Sequence, residues 1–332
     1  MKYLESVQLL NYSGFDKNLK KFLPPLRKGY YQVIDIPVAG DAPKDFIRVY
    51  EFGEGIRKDF KKTWPAHIAK VGHKWYPIES VTEHMLNRIG SELGLNVAES
   101  RLMIAGNQVR FLSKYFLNPH VTLVHGAEIF AGYLGDREFV EEIENKGLAR
   151  DYYTFEFAEN AIKSMFPDQG DEIMQEFVKM LVLDAIIGNN DRHFYNWGVI
   201  THLRTTKIPT FAPIYDTARG LFWNQREEKV VEYFEHPKEI VRRLTKYADA
   251  SQPKTGWNEV ENINHFQLIG RIYHDDGRYK NICDELIKIE RLEGIFKLID
   301  TEFKDLMSAK RIELIKRCLS LRMEKLIHVL KP

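Results

Sequence analysis

Extended and helical signals are segregated along this chain. β-Branched and aromatic runs crowd the first third, and apolar residues at helical spacing take over afterwards. Runs at residues 31–38, 46–52, 67–71 and 108–116, separated by Gly, Pro and Asp, predict four strands. A helix over 81–93 interrupts them, with Leu86, Ile89 and Leu93 on one face and Gly94 to close it. From about Pro119 the pattern is helical. Phe155, Ala158, Ile162 and Met165 share a face over 153–166, and Pro167 stops that helix. Residues 171–187 are apolar nearly all round in their last turns, which predicts a central helix. A short strand pair, 197–201 and 208–214, precedes further helices ending in 312–330. Alternating βα units are missing from this order, which argues against a Rossmann fold. The expectation is an α+β chain: a small antiparallel β lobe with one helix over 1–117, then a larger, mainly helical lobe over 118–332.

With 332 residues the chain is long enough for two modest lobes. Lys and Arg number 48 against 47 Asp and Glu, a net charge of +1 that gives no global pull toward nucleic acid or anionic membrane. Direct nucleic-acid binding is not expected. The longest apolar run, around 180–187, is interrupted by Asp184 and too short to span a bilayer. Residues 1–12 lack the apolar core of a signal peptide. Two cysteines, Cys283 and Cys318, make no disulfide framework and cannot close a zinc site alone. A cytoplasmic protein is the expectation.

The chemistry concentrates in 183–200, LDAIIGNNDRHFYNWGVI, and 210–223, TFAPIYDTARGLFW. Asp191 is followed by four residues and Asn196, then by a strand pair and Asp216. Phosphoryl transfer needs a carboxylate near the attacking hydroxyl and oxygen ligands for a Mg²⁺ that bridges phosphates. Mg²⁺ takes carboxylate and amide oxygens plus water, so Asn196 and Asp216 suit it. The D-x-x-x-x-N spacing is that of the protein-kinase catalytic loop. Each residue alone is more often structural, Asp191 as the cap of a Gly-Asn-Asn turn; their order between a buried helix and a strand pair favours catalysis.

Gly188-Asn189-Asn190-Asp191-Arg192-His193 with Asn196, and Ala212-Pro213-Ile214-Tyr215-Asp216, resemble the paired signatures of HipA-like serine/threonine kinases. The D-R-H-x-x-N string is similar to that of phosphoinositide kinases too. The resemblance covers roughly residues 46–223 and implies a bilobal protein-kinase-like fold, ATP and Mg²⁺ as cofactors, and transfer to a protein hydroxyl. A lipid or small-molecule kinase and an inactive nucleotide-binding scaffold are the alternatives. By position it makes Asp191 the catalytic base or orienting carboxylate, and Asn196 and Asp216 metal ligands. His193 either touches substrate or braces its loop. Trp223 and Arg219 after Asp216 are candidates for a substrate wall. The resemblance also implies a protein substrate, and an antitoxin or regulatory partner of the toxin–antitoxin kind. Long HipA toxins carry an extra N-terminal subdomain, however, and only about 45 residues precede the first nucleotide-lobe strand here.

In the small lobe, Lys70 ends a strand and can reach phosphates if something holds its side chain. Glu83 lies on the inward face of its helix, where a carboxylate needs a partner. The two look like the strand-lysine and helix-glutamate pair of kinases, with Lys74 a nearby competitor. Gly53-Glu54-Gly55 would let backbone amides approach phosphate, or would form a plain hairpin turn. Backbone groups of Lys114, Tyr115 and Phe116 are expected to face adenine in the lobe connection. HipA-like kinases often phosphorylate themselves near the phosphate-covering strands, and Thr63 is the one hydroxyl residue between Gly53 and Pro65. The basic final helix reads as a solvated face opposite an apolar stripe.

Overall fold

The computed structural model describes residues 19–38, 43–73, 75–105, 108–204, 207–275 and 277–331. Its first layer is a five-stranded antiparallel sheet of β1 (Tyr31–Ile34), β2 (Lys44–Val49), β3 (Ala66–Val71), β4 (Ser100–Ala105) and β5 (Gln108–Lys114), in the order β1-β2-β3-β5-β4. Period-two burial assigns its faces. Ile47, Val49, Ala69, Leu112 and Ala105 pack with Leu26 on one side. The other side is covered by α1 (Glu79–Glu92), whose Val81, Met85, Leu86 and Ile89 are fully buried and join Phe111 in the main core. Gly94 ends that helix as the sequence predicts: its φ is 81°, and the Leu95 N–H reaches back to Gly90 O at 3.0 Å.

β4 was not expected. Its run, Ser100–Ala105, is short, but Gly106-Asn107 between two strand-like runs is a hairpin signal. A second departure follows Pro119. Instead of turning helical at once, the chain forms β6 (Val121–His125), which pairs with β7 (Gly198–His202) in a three-stranded sheet completed by β8 (Thr210–Phe211). β8 is shorter than the expected 208–214 because Pro209 and Pro213 flank it and neither can donate to a ladder.

The rest is helical: α2 (Gly126–Leu134), α3 (Arg137–Asn145), α4 (Ala149–Tyr152), α5 (Phe155–Met165), α6 (Gly170–Ile187), α7 (Glu227–Tyr233), α8 (Pro237–Asp249), α9 (His265–Asp275), α10 (Lys280–Leu286), α11 (Arg291–Leu298) and α12 (Ala309–Leu330). α6 is the axis of this part. Its last two turns are buried on every side, enclosed by α5, α9, α10 and α12, which is why they carry no surface polarity beyond Asp184. Among the described residues no helix is long and apolar enough to cross a membrane.

α12 corrects the reading of its basic face. Arg311 and Arg322 are 2% and 0% exposed. Arg311 donates to Phe222 O, Gln225 O and Glu227, and Arg322 Nε donates to Ala185 O at 2.8 Å, at the carbonyl end of α6. Helix C-termini leave carbonyls unsatisfied, and Ala185 O there receives one N–H of Arg322, whose guanidinium also lies over the Phe266 ring.

Candidate active site

α6 delivers the loop that carries the predicted catalytic residues. Gly188 takes φ 66° after the last helical residue, and a Cβ there would lie 3.1 Å from the Arg322 guanidinium. Only glycine combines that conformation with that closeness. Beneath the loop Asp184 and Arg192, 1% and 2% exposed, form a two-pronged ion pair at 2.8 and 3.1 Å. Asn189 Nδ2 donates to Asp184 at 2.8 Å, and Arg192 NH1 donates to Asn196 O and Tyr215 O. Asp184 therefore anchors side chains of the loop. Both buried charges are paired and hydrogen-bonded, the condition under which such a pair is tolerated.

The loop's upper side is open. The Asp191 carboxylate is 42% exposed and lies 3.8 Å from Arg219 Nε. Asn196 Nδ2 donates to Asp191 O at 2.9 Å, which turns the amide oxygen of Asn196 the other way. His193 Nδ1 accepts the Tyr195 N–H at 3.2 Å, so the ring braces the loop.

Across the cleft, Lys70 Nζ donates to Glu83 Oε1 and to Asp216 Oδ1, each at 2.8 Å. This one ammonium joins β3, α1 and the strand end after β8, 146 residues away in sequence. Burial alone would weaken the ammonium, but Asp216 and Glu83 outweigh it and hold the Lys70 pKa above the ordinary lysine value. Burial pushes Glu83 up to about 7 against the pull of Lys70. Burial also opposes ionisation of Asp216, yet Lys70, with help from Lys44 and Arg192, brings it down to about 2. Asp216 has φ 56°, a left-handed conformation that costs a side-chain-bearing residue about 1–3 kcal/mol. Such strain is retained where a side chain has to be aimed.

The strand register corrects the glycine assignment. Lys44 stands opposite Lys70, so the start of β2 lies at the lysine's end of the sheet. Gly53 and Gly55 belong to the β2–β3 connection at the other end, beyond Ala66; four residues of strand, roughly 13 Å, separate that end from Lys70. There they form a turn, with Ile56 N donating to Gly53 O at 3.2 Å and Gly55 at φ 74°. The proposal for Thr63 loses its basis in the same way. Its hydroxyl donates to Phe60 O and accepts the Arg57 N–H at 2.9 Å, within that remote connection.

Of the three lobe-connection residues, Lys114 and Tyr115 spend their N–H groups on Glu99 O and Ala66 O. Among the described residues Phe116 is the one of the three whose N–H has no backbone partner, and its ring lies 5.8 Å from that of Tyr215. Lys74 lies outside the described residues. Two residues that the motifs did not single out belong to the site's frame. Glu79 begins α1 and lies 3.6 Å from Arg219 Nε, and Lys44 adds positive charge beside Asp216. An acidic residue buried at a helix start was the available signal for the first.

The HipA-like C-terminal domain family is matched by residues 36–289 of the chain. The solved structure of a Helicobacter pylori proinflammatory kinase, CtkA, is similar with a TM-score of 0.67 at 18% identity, over 86% of this chain and 92% of that one. A chain from the Shewanella oneidensis MR-1 toxin–antitoxin complex of HipA, HipB and operator DNA is similar with a TM-score of 0.55 at 15% identity, over 97% of this chain and 70% of that one. None of the curated proteins matches it. The fold is the bilobal, protein-kinase-like α+β arrangement expected from the sequence.

Proposed function

The chain belongs to the HipA-like C-terminal domain family, and from that membership we propose that it is an ATP- and Mg²⁺-dependent kinase transferring phosphate to a protein serine or threonine hydroxyl. One observation carries the reading: Lys70 joins Glu83 to Asp216 at 2.8 Å each, and the loop that bears the exposed carboxylate of Asp191 is tied to the residue before Asp216 through Arg192 and Tyr215 O. The division between lobes falls after Leu117 in this reading.

The residues present suit Mg²⁺-ATP. One ammonium, Lys70, is shared by the carboxylates of Glu83 and Asp216, and Asp216 remains 36% exposed, which leaves room for a cation beside it. Asp216 and the amide oxygen of Asn196 are the two protein oxygens for Mg²⁺, an ion that is commonly held by one or two protein groups with phosphates and water completing its shell. When bound, the metal neutralises charge on the phosphate oxygens. Lys70 binds the α- and β-phosphates while Glu83 holds its ammonium in place. The acceptor hydroxyl attacks the γ-phosphorus, its proton passes to Asp191, and the bond to the β-phosphate oxygen breaks to leave ADP. His193 acts by bracing the loop. Phe116 offers the backbone N–H for the adenine edge.

The acceptor class is the least constrained part. Proteins named HipA and CtkA share the fold at identities too low to carry over substrate or partner. A protein hydroxyl, an antitoxin-like partner and a cytoplasmic site of action are proposals resting on family membership. Incubation of wild-type protein and Asp191→Ala with γ-labelled ATP, Mg²⁺, a cell lysate and anionic lipid vesicles tests the acceptor. Label in protein serine or threonine that disappears with Asp191→Ala supports the reading. Label in lipid transfers it to a lipid kinase, and no labelled product in any fraction refutes kinase activity.

A further inference from the structure

α1 presents two buried carboxylates four residues apart, Glu79 and Glu83, which are 7% and 3% exposed. Residues at that spacing share a helix face. Each meets one cation, and each cation meets one of the two functional aspartates. Glu83 binds Lys70, which binds Asp216. Glu79 lies 3.6 Å from Arg219 Nε, and the same nitrogen lies 3.8 Å from Asp191 Oδ2. The arrangement is duplicated: acid on α1, cation, aspartate of the catalytic segments.

The second chain of charges is held at its Arg219 and Glu79 members. The Arg219 guanidinium stacks on Trp223 with 3.9 Å from its central carbon to the ring centroid. Tyr76 packs edge-on against that Trp223, 5.7 Å away. Glu79 accepts the His73 N–H at 2.6 Å. The backbone around Arg219 lies against the catalytic loop: Arg219 O accepts the Asn190 N–H at 3.4 Å, and Leu221 N donates to Ile187 O at 3.2 Å. Gly220 comes so close that a Cβ would stand 2.6 Å from Ile187 O. The Arg219 backbone is therefore tied to the loop that carries Asp191.

Separations of 3.6 and 3.8 Å are charge contacts, too long for hydrogen bonds. Arg219 and Asp191 are both partly exposed, and such pairs contribute little to folding. Aiming a reacting carboxylate is different, because an error of about 1 Å at a catalytic group costs on the order of 100-fold in rate.

We propose that Arg219 is a positioning residue for Asp191 and that Glu79 makes its hold depend on the seating of α1, so that one helix governs both the nucleotide cluster and the acceptor side. This rests on the kinase reading above.

The test compares wild type with Arg219→Gln, Arg219→Lys, Glu79→Gln and the double variant Glu79→Gln/Arg219→Gln. Single-turnover phosphoryl transfer, Mg²⁺-ATP affinity and melting temperature are measured for each. The expected loss of rate is about 10-fold or more for Arg219→Gln, with partial recovery in Arg219→Lys and ATP affinity within about 2-fold. Glu79→Gln loses about 3-fold, and the double variant is no slower than Arg219→Gln alone, because the two act in one chain. Should Arg219→Gln not fold, Arg219→Lys and Glu79→Gln decide by the same split between rate and affinity. Wild-type rates in folded variants, losses that multiply in the double variant, or ATP affinity falling in step with rate would overturn the inference. An active wild type silenced by Asp191→Ala beside unaffected Arg219 variants overturns this inference alone. An inactive wild type overturns the kinase reading and this inference with it.

Discussion

Two buried charge clusters border the cleft and are closed in different ways. Asp184 and Arg192 balance one for one, are almost wholly buried, and have Asn189, Asn196 O and Tyr215 O to complete their hydrogen bonds. Lys70, Glu83 and Asp216 share one ammonium between two carboxylates, and the aspartate is strained and a third open. Low dielectric makes an unfinished charge balance costly, so it persists where a ligand completes it. The first cluster is a foundation, and the second is the candidate nucleotide site.

The largest contrast should appear in stability. Asp184→Ala leaves Arg192 buried without its partner and is expected to cost about 3–5 kcal/mol in a denaturation curve. Lys70→Met, in which Glu83 can take up a proton, should cost about 1 kcal/mol or less. Equal losses at the two positions would break the comparison. Activity should sort them in reverse: Asp191→Ala, above the foundation, should lower transfer by about 10²–10³-fold while stability stays within about 0.5 kcal/mol of wild type. A denaturation midpoint that falls with the rate would make Asp191 part of the foundation.

A smaller effect concerns the strain at Asp216. Asp216→Gly removes a side chain held at φ 56° and leaves Lys70 and Glu83 balanced. Stability should be unchanged or higher by up to about 1 kcal/mol while Mg²⁺-ATP binding falls. A marked loss of stability would show that the trio is structural.

The smallest effect is in pH dependence. Glu83 has its pKa raised to about 7, so between its ordinary value and pH 7 the folded state holds a proton that the unfolded state does not. Raising the pH through that window costs stability. His67 and His84 are pushed down to about 4 by burial, so the unfolded chain holds their extra protons and a rising pH favours folding. The terms oppose one another in wild type. Glu83→Gln removes only the first, so its melting temperature should climb more steeply from pH 5 to 7. Parallel curves would mean that Glu83 is ionised throughout.

The sequence makes the catalytic loop legible because its residues are close together and fix their own geometry. Asp191, Asn196 and the αL glycine Gly188 fall within nine residues, between a helix and a strand that their own patterns predict. The Lys70–Glu83 pair is legible for another reason: a carboxylate on an apolar helix face has to find a cation. The phosphate-loop glycines are misplaced because Gly-x-Gly reports a turn but not the end of the sheet on which the turn lies. That depends on pairing Lys44 with Lys70, a long-range register. Arg311 and Arg322 are misread because charge normally marks a solvated face, whereas here carbonyl ends of other segments receive it. β6 is missed because its partner, β7, lies over seventy residues later.

The central claim is that Lys70, Glu83 and Asp216 form an unfinished cluster that Mg²⁺-ATP completes. Calorimetric titration of ATP, with and without Mg²⁺, into wild type, Lys70→Met and Asp216→Ala tests it directly. The account predicts Mg²⁺-dependent binding to wild type that weakens by about 10-fold or more in both variants, with the dependence on Mg²⁺ lost in Asp216→Ala. Affinity that is the same in all three proteins, or indifferent to Mg²⁺ in wild type, would contradict it.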